Sequence, residues 1–183
     1  MPWSREMPGY LEKRLGNGWL KMLPSLWYDC GADSRFMRFH YMDVVTRLIS
    51  RNYNGQIQPW CQARGIRYIG HVLEDENSHT RLGCGTGHFF RTQKYQDMSG
   101  VDLIAGQVLP GMDMYGICTY AAADGDGSFY HYGLAKLASS EDHINPNKCG
   151  SFCEVNAVYG NVTNAKFYKF LLDHLFVRGI NQL

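Results

Sequence analysis

The sequence has no C-x-x-C pair, no H-E-x-x-H stretch and no run of five basic residues. Its apolar stretches also fall well short of the ~20 residues needed to span a bilayer. Each absence removes a class. Without paired cysteine spacings a zinc ribbon is excluded, and Cys149 and Cys153, four apart, stand too isolated to suggest one. Six cysteines are present, at 30, 61, 84, 118, 149 and 153, an even number that permits disulfides. The chain is nevertheless too long and too core-rich for a disulfide scaffold, so free thiols in a reducing cytoplasm are expected. A formal net charge of +1 gives no electrostatic pull toward nucleic acid or an anionic membrane. The start, Met1-Pro2-Trp3-Ser4-Arg5-Glu6, lacks the basic opening and apolar stretch of a signal peptide, which again points to the cytoplasm. Asn161-Val162-Thr163 fits the glycosylation triplet, but the triplet is common by chance.

What is present describes a globular chain with a real core: 183 residues, 45% hydrophobic and 19% charged. That length suits one domain or a piece of one. A closed barrel of eight strand–helix units typically takes ~250 residues, too many to fit here. Aromatic residues reach 14%, with 12 Tyr, 9 Phe and 4 Trp. Most belong to the core, because aromatics dominate core burial, and the remainder suit stacking on sugar rings.

Residues 1–34, with early Pro and Gly and with Trp3, Trp19 and Trp27, read as a loop-rich lead-in. From 35 to 183 the pattern becomes repeated strand–helix units. Asp33-Ser34 suits a helix cap, and Met37, Tyr41, Val44 and Leu48 follow at helical spacing. A second helix is expected over Gly55 to Arg64, bent or started by Pro59 and stopped by Gly65. Strands are expected over Ile66 to Leu73, Val101 to Ile104 and Ser151 to Val155, with helices over Phe89 to Met98, ended by Ser99-Gly100, and over Tyr130 to Ser140. Residues 105–128 read as a long loop. The last helix is the clearest: Tyr168, Leu171, Leu172 and Leu175 form its stripe, Asn164 caps it, and Arg178-Gly179 close it. Ile180 to Leu183 looks like the opening of another strand. The alternation points to parallel α/β with about four strands.

Two acids stand out. Glu74 follows the first apolar strand, and Glu154 sits in the last, within a largely uncharged segment. In strand–helix barrels catalytic residues occupy the C-terminal ends of strands. Two carboxyls on one such rim are what glycoside hydrolysis requires. Around Glu74 the stretch His71-Val72-Leu73-Glu74-Asp75-Glu76-Asn77-Ser78-His79 suits a site on a strand-end loop, where one carboxyl with a raised pKa serves as general acid. The bland alternative is a solvated acidic loop capping a helix. For Glu154 the options are nucleophile, general base and salt-bridge partner, since an unpaired buried charge is costly. His71, Glu74, His79 and His88 lie close enough in sequence to raise a zinc reading, but histidines tied into hydrogen bonds near a rim are favoured, and neither a metal nor a cofactor is expected. Asp124-Gly125-Asp126-Gly127 lacks the spaced ligands of a calcium loop. Gly83-Cys84-Gly85-Thr86-Gly87 departs from the dinucleotide fingerprint, so a nucleotide-binding doubly wound domain is only a third reading.

Several of these segments resemble, in order, parts of large bacterial glycoside hydrolases. They are Tyr68-Ile69-Gly70-His71-Val72-Leu73-Glu74-Asp75, Gly87-His88-Phe89-Phe90-Arg91 and Asp97-Met98-Ser99-Gly100-Val101-Asp102. In the second half they are Leu134-Ala135-Lys136-Leu137-Ala138-Ser139-Ser140, Cys153-Glu154, Tyr159-Gly160 and Asp173 to Asn181. Met7-Pro8-Gly9-Tyr10 and Leu26-Trp27-Tyr28-Asp29 fit as well. The family is that of the (β/α)8-barrel enzymes related to the alpha-L-rhamnosidases and the beta-galactosidase-like enzymes.

The resemblance implies a single partial TIM barrel over residues 1–183. It also implies hydrolysis of O-glycosidic bonds, with Glu154 as general base or nucleophile and Glu74 as proton donor. Asp75 and Glu76 are rivals for the donor's role, and His71, Asp75, His79, Tyr159 and Trp60 would hold or stack on the carbohydrate. Members of that family are several times longer, with β-sandwich domains around the barrel. Here the chain stops where the next strand would begin, and Gly160-Asn161-Val162-Thr163-Asn164 replaces a Gly-Trp-rich stretch. A fragment is therefore expected, one that meets the missing barrel half or a second copy of itself. The competing expectation is a non-catalytic remnant that binds sugar without cleaving it.

Overall fold

Proline and glycine start and stop helices in the first 34 residues instead of breaking them up. The computed structural model describes residues 2–72, 85–111, 127–160 and 163–183. Pro8 lies in the first turn of α1 (Met7–Leu15), where its missing N–H has no intrahelical partner to lose. Gly16, at φ +74°, ends that helix. The short α2 (Trp19–Met22) runs into a 3-10 turn over Leu23–Leu26 with Pro24 near its start. The expected loop-rich lead-in is thus corrected to a mostly helical one.

The long α3 (Ala32–Ile49) buries Met37, Tyr41, Val44, Val45 and Leu48 against Met7 and Leu11 of α1, as its spacing requires. Its first residue follows Gly31, and Ser34 works as an acceptor for the Cys30 N–H at 2.6 Å instead of capping the helix itself. A π-helical turn, Ser50–Asn54, leads into α4 (Gly55–Gln62).

Among the described residues the sheet is parallel and has three strands in consecutive order. They are β1 (Ile69–Gly70), β2 (Met98–Ile104) and β3 (Ser151–Ala157). Between them stand α5 (Phe89–Gln93) and α6 (Leu134–Ile144), the latter led in by a π-helical turn over Phe129–Gly133, and α7 (Ala165–Phe176) follows β3. The α/β expectation is therefore met. Asn164 caps α7, its Oδ1 accepting from the Phe167 N–H at 3.0 Å. Beyond α7, Gln182 forms a parallel bridge with Phe152, so the chain returns beside β3 as its apolar ending predicted.

Two strand expectations need correction. β1 is only two residues long, although Ile66 to Leu73 reads as one apolar run; Ile66 and Ile69 are about half exposed, so hydrophobicity there does not mark a buried strand. Met98-Ser99-Gly100, expected to end a helix, forms the first half of β2. Gly100 is there because Phe152 of the neighbouring strand lies over it. A Cβ at that position would stand 2.0 Å from Phe152 Cε1 and 2.4 Å from the Gly70 carbonyl oxygen.

The two faces of the sheet differ. Val101 and Leu103 pair in register with Cys153 and Val155, and this face packs against Leu134, Ala138, Leu171 and Leu175 of the helices. Gly100 and Asp102 pair with Phe152 and Glu154 on the other face. Gln93, fully buried, ties α5 to the β1–β2 seam, accepting from the Gly100 N–H and donating to the Gly70 carbonyl, both at 3.3 Å. Lys148, half-buried, donates to the carbonyls of Gln93 and Gln96 behind α5, and burial pushes its ammonium down to about 8. No helix among the described residues is long and apolar enough to cross a membrane.

The helical lead-in is joined to the sheet unit by charge. Asp43 of α3 accepts from Arg14 of α1, from Arg47 one turn on at 3.1 Å, and from Arg91 of α5 at 2.6 Å. Burial raises its pKa, but the hydrogen bonds from Arg47 and Arg91 and the charges of Arg14 and Arg91 outweigh that and bring it down to about 2. A carboxyl held below its ordinary 3.8 stabilises the fold above that pH, and this contribution is lost as pH falls from there toward 2. Chemical denaturation at pH 7 and pH 2.5 should show this loss, on the order of 1–2 kcal/mol. Asp43→Asn should be destabilised at pH 7 and lose that part of the pH dependence. Gly100→Ala should cost about 1–3 kcal/mol by overpacking, read in the same experiment.

Candidate functional site

A parallel register places paired residues side by side on one face of a sheet, so two acids at matching positions must meet. Asp102 of β2 pairs with Glu154 of β3. His71 directly follows β1, which enters the sheet beside β2 through Ile69 and Gly70. The result is a cluster drawn from three consecutive strands, in which one ligand-type atom each of His71, Asp102 and Glu154 lies within 4.8 Å of the others. His71 Nε2 stands 3.7 Å from Glu154 Oε2. Glu154 has 57% of its side chain exposed, whereas Asp102 is 7% exposed, so the cluster has an open side and a closed one.

The backbone around this cluster is unusual. Between Leu103–Val155 and Ile104–Ala157 the register shifts, leaving Asn156 as the extra residue of a β-bulge. Asn156 has φ +74°, and Ala105 and Val158 also lie in the left-handed region at +54° and +55°. Asparagine tolerates that conformation, but for a β-branched residue it is a genuine outlier. All three flank the C-terminal ends of β2 and β3. Strain of this kind gathers where a site is held in place.

Of the site residues expected from sequence, the structure unites His71 and Glu154. Glu74, Asp75, Glu76 and His79 lie outside the described residues. Tyr159, expected at the carbohydrate, has its hydroxyl engaged with one backbone segment: it accepts from the Val108 N–H at 3.1 Å and lies 3.2 Å from the Val108 carbonyl. Burial pushes that hydroxyl up to about 12, and its ring packs beside Phe167. Tyr159 therefore anchors the loop after β2. Trp60 lies on α4 with the Arg64 guanidinium 3.9 Å over its ring. His88, weighed as a metal ligand, caps α5 by accepting from the Arg91 N–H. Gly87, at φ +87°, sits against Met42, where a Cβ would come within 2.9 Å of the methyl, which gives that glycine a packing reason.

Asp102 is the residue that sequence reasoning missed. The signal was present: an acid inside Val101-Asp102-Leu103-Ile104 is as conspicuous as Glu154 among its uncharged neighbours. The strand pairing that sets it beside Glu154 is not a property of either segment alone.

An imidazole and two carboxylates this close support three kinds of chemistry. They can move a proton, they can hold the hydroxyls of a polar substrate, or they can share a cation. A nucleotide-binding doubly wound sheet would need a reversal of strand order, and among the described residues the order is consecutive. No family model, no curated protein and no solved structure matches this chain.

Val158 offers a measure of the strain at this rim, because the residue is 63% exposed and contributes little packing. Val158→Gly should relieve a left-handed valine, a gain of roughly 1 kcal/mol after the entropy cost of glycine. Thermal unfolding should show a raised midpoint.

Proposed function

We propose that this chain is a catalytic-barrel segment of a glycoside hydrolase, cleaving O-glycosidic bonds with carboxylates at the C-terminal side of a parallel sheet. The observation that carries the reading is Glu154: an exposed carboxylate on the sheet face away from the helices, with Asp102 and His71 gathered around it. Three further features support it. The strands are added one after another in the same direction, and residues after α7 take the next place, which is how a (β/α)8 barrel grows. The helices that contact the sheet pack on the face of Val101 and Leu103, as the outer layer of a barrel does. The sequence segments that resemble the rhamnosidase-related enzymes place an acid at Glu154.

In this mechanism Glu154 activates water, or attacks the sugar carbon, from the open side of the cluster. Glu74 donates a proton to the leaving oxygen, in the role that the resemblance assigns to it. His71 and Asp102 hold hydroxyls of the bound sugar, the histidine by donating and the aspartate by accepting. Carboxyl groups ~5–5.5 Å apart retain the anomeric configuration, and ~6.5–9.5 Å apart invert it. The partner is a carbohydrate. A second copy adding strands to this sheet would extend the barrel, and size-exclusion chromatography would report it as a dimer.

Hydrolysis of a panel of aryl glycosides tests the reading. Glu154→Gln is expected to lower the rate by about 10²–10⁴-fold, the usual contribution of a positioned acid or base, while sugar binding persists. An unchanged rate removes Glu154 from the mechanism. Binding without any hydrolysis by the parent chain would leave the sugar-binding remnant as the function.

A further inference from the structure

We infer that His71, Asp102 and Glu154 form a binding site for a first-row divalent metal ion of the zinc or manganese kind. The distances carry the argument. At 3.7 Å, His71 Nε2 and Glu154 Oε2 are too far apart for a hydrogen bond, which needs ~2.7–3.2 Å. Two atoms bound to one ion at ~2.0–2.2 Å are separated by roughly 3–4 Å, and the pair already has that spacing. The Asp102 oxygen belongs to the same group, all members of which lie within 4.8 Å of one another.

Electrostatics point the same way. Asp102 is 7% exposed and pairs in register with a second carboxylate. Two carboxylates side by side, one of them withdrawn from water, are a pair of the kind that a shared dication neutralises. The donor set then selects the ion. Calcium and magnesium prefer oxygen ligands throughout, whereas one imidazole nitrogen with two carboxylates suits zinc or manganese. Three protein ligands with an exposed fourth side, here the solvent side of Glu154, is also the pattern of zinc sites that keep a position for water or substrate. Asp102 and Glu154 come from paired strands of one sheet, so the register sets their spacing, and His71 directly follows β1, which pairs with β2.

The inference concerns the residues that the proposed function assigns to the sugar, and a metal titration reads ion binding directly, so its failure is distinguishable from failure of the hydrolysis assay. The full chain, stripped with a chelator, would be titrated with zinc chloride and with manganese chloride by calorimetry, and with cobalt chloride by visible absorption as a reporter of ligand type. One ion per chain is expected, with a cobalt spectrum of nitrogen and oxygen ligands and no thiolate band. His71→Ala and Asp102→Asn should each weaken zinc binding about tenfold or more, a loss at least as large as removing groups that merely support a metal's ligands. His143→Ala should leave it unchanged, since that imidazole contacts the Ser139 carbonyl on α6. Far-UV circular dichroism would confirm that each variant is folded. Should Asp102→Asn fail to fold, His71→Ala and Glu154→Gln, both at exposed side chains, provide the same test. No saturable binding of either ion, affinity indifferent to the His71 and Glu154 substitutions, or a thiolate spectrum would each overturn the inference. Calcium binding as tight as zinc and insensitive to His71→Ala would do the same.

Discussion

The pairing of β2 with β3 is the constraint on which the rest depends. It is a parallel ladder running from Ser99 opposite Ser151 to Leu103 opposite Val155, with a one-residue slip beyond. A shift of β3 by one residue would send Glu154 to the face opposite Asp102 and Cys153 out of the core. Gly100 and Phe152 lock the register. The ring occupies the space that any other side chain at Gly100 would fill, so the strands approach correctly only in this alignment.

From that register the two halves of the molecule acquire their roles. One face of the sheet supplies Val101, Leu103 and Cys153 to a core completed by α6 and α7. The opposite face brings a buried and an exposed carboxylate beside the imidazole that follows β1. The bulge at Asn156 and the left-handed Val158 lie just past Glu154 in the chain. The helical lead-in contributes at a distance. Through Asp43 and its three arginines it holds α5, and α5 through Gln93 holds the seam between β1 and β2.

Local chemistry made much of this legible. The stripes of α3 and α7, the cap at Asn164 and the alternation of helix with strand were readable, because side-chain spacing and capping act within a few residues. Glu154 was conspicuous as an acid in an uncharged strand. Other parts were misread for equally local reasons. Pro8 and Pro24 looked like loop residues, although both occupy first turns where proline is welcome. Ser99-Gly100 looked like a helix stop, because nothing in the segment announces that Phe152, fifty-two positions away, requires a residue without a side chain. Tyr159 engages the Val108 backbone through its hydroxyl, a partner fifty-one positions away that its own segment does not announce.

Sequence alone therefore determined the alternation of elements, the α/β class and the identity of two unusual polar residues, His71 and Glu154. The alternation follows from periodicity, a short-range quantity, and Glu154 stood out as an acid among uncharged neighbours, although its side chain is 57% exposed. Tertiary structure decided which strands are neighbours, which face each acid occupies, and that Asp102 joins the other two. Those outcomes depend on interstrand hydrogen bonding and on packing between residues up to eighty-three positions apart, from His71 to Glu154. No reading of either segment by itself contains them.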